Sequence, residues 1–317
     1  MNTSETGHFV RDDVAAFLAL INSAPAPEGV PDPETQRAGY LALKAMTEAD
    51  PRPMAIIRNL TCPGPAGDIP LRFYDVRETR EPGPVILFFH GGGFVIGDLD
   101  SHNSLCTELS AELDLPVLAV HYRLAPEHPF PAAPDDCEAA ARWLAASPPE
   151  LARKVTGIVT IGGSAGGTLA TVTARALCDN PAAAPMLLQV LLYPATDESQ
   201  DGSMETFGQG YLLTKATMDW FYALYQPAPG NPRAYPLLAS ATGMPPSIVA
   251  TGGLDPLQDQ GRRIAAKLVE AGVDTLYLHL TGLTHDFSTT RKAIPSAQSD
   301  THAIFAAMKL LLARASG

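Results

Sequence analysis

The sequence contains little cysteine, with four residues in 317, and no two of them form a C-x-x-C pair. Cys62, Cys106, Cys137 and Cys178 are scattered along the chain. Zinc sites and small disulfide-stapled domains need closely spaced cysteines, so this distribution argues against both classes. We therefore expect four buried or half-buried thiols, no metal site and no metal cofactor.

Basic residues are also scarce, because 22 Lys and Arg face 34 Asp and Glu, giving a net charge of −12. A nucleic-acid-binding protein needs a basic patch, so no nucleic-acid partner is expected. No apolar run approaches the ~20 residues of a membrane-spanning helix, and no membrane partner is expected. The first residues, MNTSETGHFVRDD, lack the basic and then apolar regions of a signal peptide. These absences together predict a cytoplasmic location.

What the chain does contain is enough apolar residue, 46%, to bury a large core. Short apolar runs alternate with segments of helix length, which predicts an α/β fold with a mainly parallel sheet. The first two runs are joined too briefly for a crossover helix and should pair antiparallel at one edge. The last run should lie near the other edge, where a second copy of the chain is able to pair with it in a homodimer. The predicted strands are Ala55–Thr61, Ile69–Val76, Val85–Phe89, Val117–Tyr122, Gly157–Ile161, Leu187–Leu192, Ser247–Thr251 and Thr275–Leu280.

Two regions exceed what the sheet needs. At the start, apolar residues at helical spacing predict a helix near residues 10–21, and a proline-rich break at 25–33 separates it from a second helix near 34–46. Later, residues 195–246 form an oversized connection that is rich in aromatic side chains. Long insertions after a strand are common places for a lid over an active site.

The strongest chemical signal is the run Gly162-Gly163-Ser164-Ala165-Gly166-Gly167, which lies between an apolar strand and a helical segment. A serine in a tight strand-to-helix turn is exposed above the sheet, and the flanking glycines avoid Cβ clashes. Ser164 then lies at a helix N-terminus, where the amide of Ala165 is free to stabilise an oxyanion. The pattern predicts Ser164 as a nucleophile.

A second signal, His90-Gly91-Gly92-Gly93-Phe94, directly follows a predicted strand. A nucleotide-binding loop is the alternative, but Ile96 occupies the place of the third glycine in G-x-G-x-x-G. A triglycine loop of this kind accompanies the serine turn in lipases and esterases. We therefore predict an oxyanion hole formed by the amides of Gly91, Gly92 and Ala165.

A nucleophilic serine needs a histidine base. In enzymes with this serine turn, the histidine comes after the serine along the chain. His279 lies inside the last predicted strand and His302 in the helical tail, so both are expected to be packing or surface residues. His285 lies in a loop immediately past a strand end, where it is able to reach Ser164. We predict His285 as the base.

The carboxylate that orients the base is predicted to be Asp255, in the loop after the apolar run SIVATGGL. Asp259 better fits the first turn of the following helix. Asp197 and Glu198 lie one connection earlier and are weaker alternatives. Asp286 is adjacent to the base and should point away from the same imidazole.

These segments resemble the bacterial hormone-sensitive-lipase-like esterases of the α/β-hydrolase superfamily. The resemblance rests on HGGGFVIGD, YRLAPEHPFPAA, GGSAGG, DPL and His285 with Phe287, in that order along the chain. It implies an α/β-hydrolase fold whose eight-stranded, mostly parallel sheet is flanked by helices and covered by a helical cap. The implied parts are cap helices in 1–50, the catalytic domain in 51–194 and 236–317, and a cap insertion in 195–235. The loop from Tyr122 to Glu127 is expected to give structural support near the site.

The resemblance implies a serine carboxylesterase that hydrolyses short- to medium-chain acyl esters without a cofactor. The same residues are compatible with an amidase, a deacetylase or a lactonase. The other alternative is a non-catalytic receptor that binds a small molecule on the same fold, but such a receptor would lack the histidine base. The chain departs from the family at three positions: Gly163 replaces Asp or Thr, His121 replaces Asp, and Asp286 replaces Gly. Gly163 is expected to loosen the turn, and Asp286 to raise the basicity of His285.

Overall fold

A computed structural model describes residues 7–23, 32–200 and 202–315. All eight predicted strands are present, with bounds that differ by a few residues from those read from the sequence. The strands are β1 Ile56–Gly64, β2 Gly67–Asp75, β3 Gly83–Phe89, β4 Val117–Val120, β5 Val155–Gly163, β6 Met186–Leu192, β7 Ser247–Leu254 and β8 Thr275–Thr284. The α-helices of the described residues are α1 Asp12–Asn22, α2 Pro33–Thr47, α3 Asn103–Leu113, α4 Ala132–Ala145, α5 Ala165–Asp179, α6 Ser203–Phe207, α7 Lys215–Tyr225, α8 Gln258–Glu270 and α9 Ser296–Ala315.

The strands form one sheet in the order β1-β2-β4-β3-β5-β6-β7-β8. β2 pairs antiparallel with both of its neighbours, and every pair from β4 to β8 is parallel. The predicted α/β class, the antiparallel pair at one edge and the last strand at the other edge are confirmed. The parallel arrangement matters for function because it brings the carboxyl ends of β3, β5, β7 and β8 to the same edge of the sheet.

Helices cover both faces of the sheet, so the strands from β3 to β7 are largely buried on both sides and consist mostly of continuous apolar residues. One face packs against α4, α5 and α8, and its core includes Leu87, Leu169 and Ile264. The other face packs against α1, α3 and α9, and its core includes Phe88 and Met308. The central strands are therefore rigid, and the loops at their ends are held in fixed positions.

The predicted N-terminal helices and the insertion are both present. Asp32 caps α2 by accepting from the amides of Glu34 and Thr35, and Pro33 suits the first turn because its missing N–H would have no partner there. Within the insertion, α7 packs close to the triglycine loop. Residues 25–31 of the predicted proline-rich break lie outside the described residues, and the division into catalytic and cap parts stays a prediction.

The described helices include none that is both long and apolar enough to cross a membrane. Three of the four cysteines are buried and Cys178 is half-buried, and all four are free thiols. Burial raises the pKa of Cys62 to about 12, because a thiolate would lose its hydration there. The expectation of buried or half-buried thiols is therefore confirmed.

Candidate active site

The residues predicted to carry chemistry follow the carboxyl ends of four strands. His90 and the triglycine loop come after β3, Ser164 after β5, Asp255 after β7 and His285 after β8. Because these strand ends share one edge, residues far apart in sequence are brought to the same region of the molecule.

Ser164 occupies a strained turn between β5 and α5. Its φ of 56° and ψ of −120° are uncommon for a residue with a side chain. A Cβ at Gly162 would lie 2.2 Å from the carbonyl oxygen of Gly166, and one at Gly166 would lie 2.1 Å from that of Phe89. The turn therefore requires glycine at both positions, as the sequence predicts for a serine lifted above the sheet.

Asp255 and His285 are bonded to each other. The Oδ2 atom of Asp255 lies 2.8 Å from Nδ1 of His285, and both side chains are buried. The amide of Leu257 donates to the other carboxylate oxygen at 2.7 Å, which fixes the carboxylate plane. With Nδ1 donating to Asp255, Nε2 is the ring nitrogen left to accept a proton.

Ser164 makes no side-chain hydrogen bond to His285, although both residues lie in the described part of the chain. Hydrogen bonds to a catalytic serine are often long in enzymes without substrate. One tyrosine contacts both sides: the ring of Tyr193 lies 4.7 Å from the imidazole of His285. The same ring lies so close to Gly163 that a Cβ there would be 2.7 Å from Cε2. His285 and the serine turn therefore flank a single aromatic ring.

The triglycine loop lies directly against the serine turn. A Cβ at Gly91 would be 3.0 Å from the carbonyl oxygen of Gly163 and 3.6 Å from Cβ of Ser164. The amide of Gly91, however, donates to Nε2 of His102 at 3.3 Å. Within the described residues, the amides of Gly92, Gly93 and Ala165 have no acceptor. Gly91 is thus the least suitable of the three predicted oxyanion donors.

Comparison with known proteins gives a consistent result. The model of a family with the α/β-hydrolase fold matches residues 86–289. Carboxylic ester hydrolase LipN of Mycobacterium tuberculosis is 38% identical over 86% of this chain and 75% of that protein. Ethyl acetate hydrolase of Pseudomonas putida is 41% identical over 68% of this chain and 69% of that protein. The chain belongs to the hormone-sensitive-lipase-like esterases of the α/β-hydrolase family.

Solved structures of such esterases superpose closely on this chain. Ester-hydrolase EH1AB1 from the metagenome of Lake Arreo, complexed with a derivative of bipyridine phosphonate, is 35% identical and gives a TM-score of 0.89. The match covers 95% of this chain and 99% of that one. An esterase of Pyrobaculum calidifontis gives a TM-score of 0.87 at 30% identity, over 96% of this chain and 99% of that one.

The alternative acids and bases have other roles in this esterase. His279 is exposed on β8, and His302 is exposed on α9, where it pairs with Glu108 at 3.1 Å. Asp259 lies in the first turn of α8 and accepts from the amide of Ser203 at 2.9 Å. Asp197 pairs with Arg263 at 2.8 Å. None of these side chains bonds to His285.

The family's signature loop supports the triglycine loop, as predicted. The hydroxyl of Tyr122 donates to the carbonyl oxygen of His90 at 2.8 Å, and the two rings stack at 4.2 Å. Burial lowers the pKa of His90 to about 3, so its imidazole is neutral and is able to stack without a charge. The backbone amide of Ala125 donates to the carbonyl oxygen of Phe94 at 2.9 Å.

The cap insertion closes the other side of the loop. A Cβ at Gly93, whose φ is 59°, would lie 2.2 Å from the ring of Phe221 on α7. The rings of Phe94 and Tyr225 stack at 3.8 Å. This part of the chain therefore places apolar aromatic surface beside the amides of the triglycine loop.

His102 is a site residue that the sequence reasoning missed. Its Nε2 accepts from Gly91, so Nδ1 carries the proton and donates to Oγ of Ser101 at 3.0 Å. Burial, followed by the neighbouring His90 and Lys44, holds the pKa of His102 well below its ordinary value. The imidazole stays neutral and keeps its acceptor atom toward Gly91. His102 lies twelve residues after His90, and no sequence pattern at that spacing indicates that it accepts a hydrogen bond from Gly91.

Tyr193 is the second missed residue. It directly follows β6, at the same edge of the sheet as the other site residues, and that position was the available signal. Its ring occupies the space that a side chain at position 163 would fill, so a glycine is needed there for packing. That Gly163 loosens the turn stays a prediction. Tyr193 is 2% exposed, and it packs against Phe287 at 4.9 Å.

One group of side chains has a composition that suits a metal. Ligand atoms of Glu108, Glu112 and His302 lie within 4.8 Å of one another. Glu108 is already paired with Arg291 at 3.4 Å and Arg52 at 3.6 Å. These cations compensate the carboxylates, so the group is an ion-pair network between α3 and α9.

Proposed function

We propose that this esterase hydrolyses short- to medium-chain acyl esters through Ser164, His285 and Asp255, with an acyl-enzyme intermediate and no cofactor. The observation that carries the proposal is the 2.8 Å bond between Asp255 and His285, beside a serine in a strained, glycine-flanked turn. This is the arrangement in which a buried carboxylate fixes the tautomer of a base.

In this mechanism Nε2 of His285 removes the proton from Ser164 as its oxygen attacks the ester carbonyl carbon. Asp255 stabilises the imidazolium that forms, and His285 then donates its proton to the departing alcohol. Water then loses a proton to the same nitrogen as its oxygen attacks the acyl carbon. The bond from that carbon to the oxygen of Ser164 breaks, His285 returns the proton to Ser164, and the acid is released. We expect the bond between the hydroxyl of Ser164 and Nε2 of His285 to form when substrate binds.

The oxyanion donors are proposed to be the amides of Gly92, Gly93 and Ala165. All three lack another acceptor, whereas the amide of Gly91 donates to His102. The sequence-based choice of Gly92 and Ala165 is kept, and Gly93 replaces Gly91. Fixed donors of this kind stabilise the charge of a tetrahedral intermediate because they need no reorganisation during the reaction.

The substrate class rests on the apolar surface near the loop. Phe221 contacts Gly93, and Phe94 stacks on Tyr225, so a compact acyl group would meet aromatic carbon rather than water. A series of p-nitrophenyl esters from acetate to palmitate tests this. We expect the highest kcat/KM between acetate and octanoate, and a preference for palmitate would contradict the proposal.

The triad is tested with Ser164→Ala. We expect loss of p-nitrophenyl butyrate hydrolysis and of covalent labelling by a fluorophosphonate, with an unchanged circular dichroism spectrum. Retained turnover would refute Ser164 as the nucleophile. Labelling of the wild-type protein also distinguishes an esterase from a receptor on the same fold.

The pairing of two copies of the chain through β8 in a homodimer stays a prediction.

A further inference from the structure

A second carboxylate lies next to the base and points away from it. Asp286 adopts a left-handed backbone conformation with φ 64°. Its Oδ2 atom forms an ion pair with Nζ of Lys44 and accepts from the hydroxyl of Tyr40 at 3.3 Å. The side chains of Lys44 and Asp286 are only 3% and 16% exposed. Both Lys44 and Tyr40 belong to α2, the second N-terminal helix.

The other oxygen of Asp286 binds the loop that carries the base. Oδ1 accepts from the hydroxyl of Thr289 at 2.7 Å and from that of Tyr193 at 3.3 Å. Tyr193 also bonds to the hydroxyl of Ser288, and its ring lies against the imidazole of His285. One carboxylate thus joins α2, the turn after β8 and the ring that flanks the base.

The charges around Asp286 are balanced at neutral pH. Burial opposes ionisation of Asp286, yet the ammonium of Lys44, followed by the neighbouring His285, holds the pKa of Asp286 below its ordinary range. Burial raises the pKa of Tyr40 and Tyr193 well above the usual value, so both remain neutral donors. The fixed charges that face the carboxylate are therefore those of Lys44 and of any proton on His285.

A buried ion pair is expensive to form. Desolvation of two charges often cancels their attraction, and an apolar pair of the same volume is frequently as stable. The pair between Lys44 and Asp286 is therefore not explained by stability alone. Its carboxylate belongs to the residue after the base, and its carboxylate oxygens hold three elements that surround the base.

We propose that Lys44 and Asp286 are positioning residues for His285, through which helix α2 fixes the turn of the base. The ammonium of Lys44 compensates the carboxylate of Asp286, and the carboxylate of Asp255 remains the one bonded to the imidazole. The proposal rests on the proposed role of His285 as the base. The proposal links two positions at which this chain departs from the family, Asp286 and Gly163. The carboxylate of Asp286 bonds to Tyr193, and the ring of Tyr193 occupies the space beside Gly163.

The test is the pH profile of kcat/KM in two single variants and their combination. Asp286→Asn removes the negative charge and leaves the ammonium of Lys44, so the imidazolium is disfavoured and the acid limb moves to lower pH. Lys44→Met leaves the carboxylate uncompensated, so the imidazolium is favoured and the acid limb moves to higher pH. Each shift is expected to be roughly half to one pH unit. The double variant should return toward the wild-type midpoint.

Turnover at the pH optimum provides the second readout. Each single variant should lose about tenfold in kcat, or about 1.4 kcal/mol, with little change in KM, because the base is displaced and substrate contacts are not. The matched control is Lys215→Met, which breaks the exposed ion pair between Lys215 and Asp219 on α7. It should leave both kcat and the acid limb unchanged.

Shifts of both single variants in the same direction, or unchanged profiles, would overturn the proposal. If Lys44→Met does not fold, Asp286→Asn and the double variant still decide it, because neither leaves a buried carboxylate without a cation. Ser164→Ala separates the two hypotheses. Activity retained in Ser164→Ala would refute the triad. If Ser164→Ala is inactive but Asp286→Asn has wild-type kinetics, only the positioning role is refuted.

Discussion

Substitution of Gly163 by alanine should displace His285, the proposed base, even though the change lies beside Ser164, the proposed nucleophile. The added methyl group would lie 2.7 Å from Cε2 and 2.9 Å from the hydroxyl oxygen of Tyr193. Both distances are shorter than an ordinary contact, so the tyrosine ring must move. It is 2% exposed, lies against Phe287 and is held by hydrogen bonds to Asp286 and Ser288.

The expected magnitude follows from this confinement. Extra volume in a packed core typically costs about 1–3 kcal/mol of the free energy of unfolding. Reduced freedom of the unfolded chain offsets about 0.4–1 kcal/mol of that cost. The activity should fall further, because the moved ring contacts His285 and a displacement of about 1 Å in a catalytic group costs about a hundredfold in rate. Urea unfolding and kcat/KM for p-nitrophenyl butyrate measure the two effects.

The matched control is Gly39→Ala, on the exposed side of α2. A Cβ at Gly39 meets nothing within 4 Å, so the variant should keep full activity. It should gain about 0.5–1 kcal/mol of stability, because alanine is the better helix former. If Gly163→Ala matched this control in activity, the contact between Tyr193 and the serine turn would not constrain the base.

Three further outcomes follow from the structure. His102→Phe should lower kcat, because it leaves the amide of Gly91 without an acceptor at a cost of about 1–3 kcal/mol, and His102→Gln should restore part of the loss. Arg291→Met should lower the free energy of unfolding by about 3–5 kcal/mol in urea titrations, because it leaves the buried carboxylate of Glu48 unpaired. With a thiol reagent, the native protein should react only at Cys178; reaction of the other thiols before unfolding would contradict their burial.

The sequence was sufficient to predict most of the fold. Short apolar or alternating runs identified all eight strands, and the central ones stood out because strands buried on both faces are apolar throughout. The short link between β1 and β2 predicted their antiparallel pairing, since two glycines and a few residues leave no room for a crossover helix. The order of the strands across the sheet is a tertiary property, and the family resemblance supplied only the expectation that all eight belong to one sheet.

Part of the site was also determined by local sequence. A serine between glycines, after an apolar strand and before a helix, leaves few backbone conformations, and Ser164 adopts the strained one that was expected. The bond between Asp255 and His285 was predicted from chain order and strand ends, because parallel strands bring their carboxyl ends to one edge. The prediction for Ser164 depends on the residues adjacent to it in sequence, and the prediction for Asp255 and His285 depends on the geometry of parallel sheets.

What only the tertiary structure decided are the contacts between side chains on unrelated elements. Neither the acceptor that His102 offers to Gly91 nor the ring of Tyr193 against Gly163 is visible in any local pattern. The pairing of Lys44 with Asp286 joins residues 242 positions apart. Sequence spacing carries no information about such a contact, because its distance is set by how a whole helix packs against the sheet and not by the residues between.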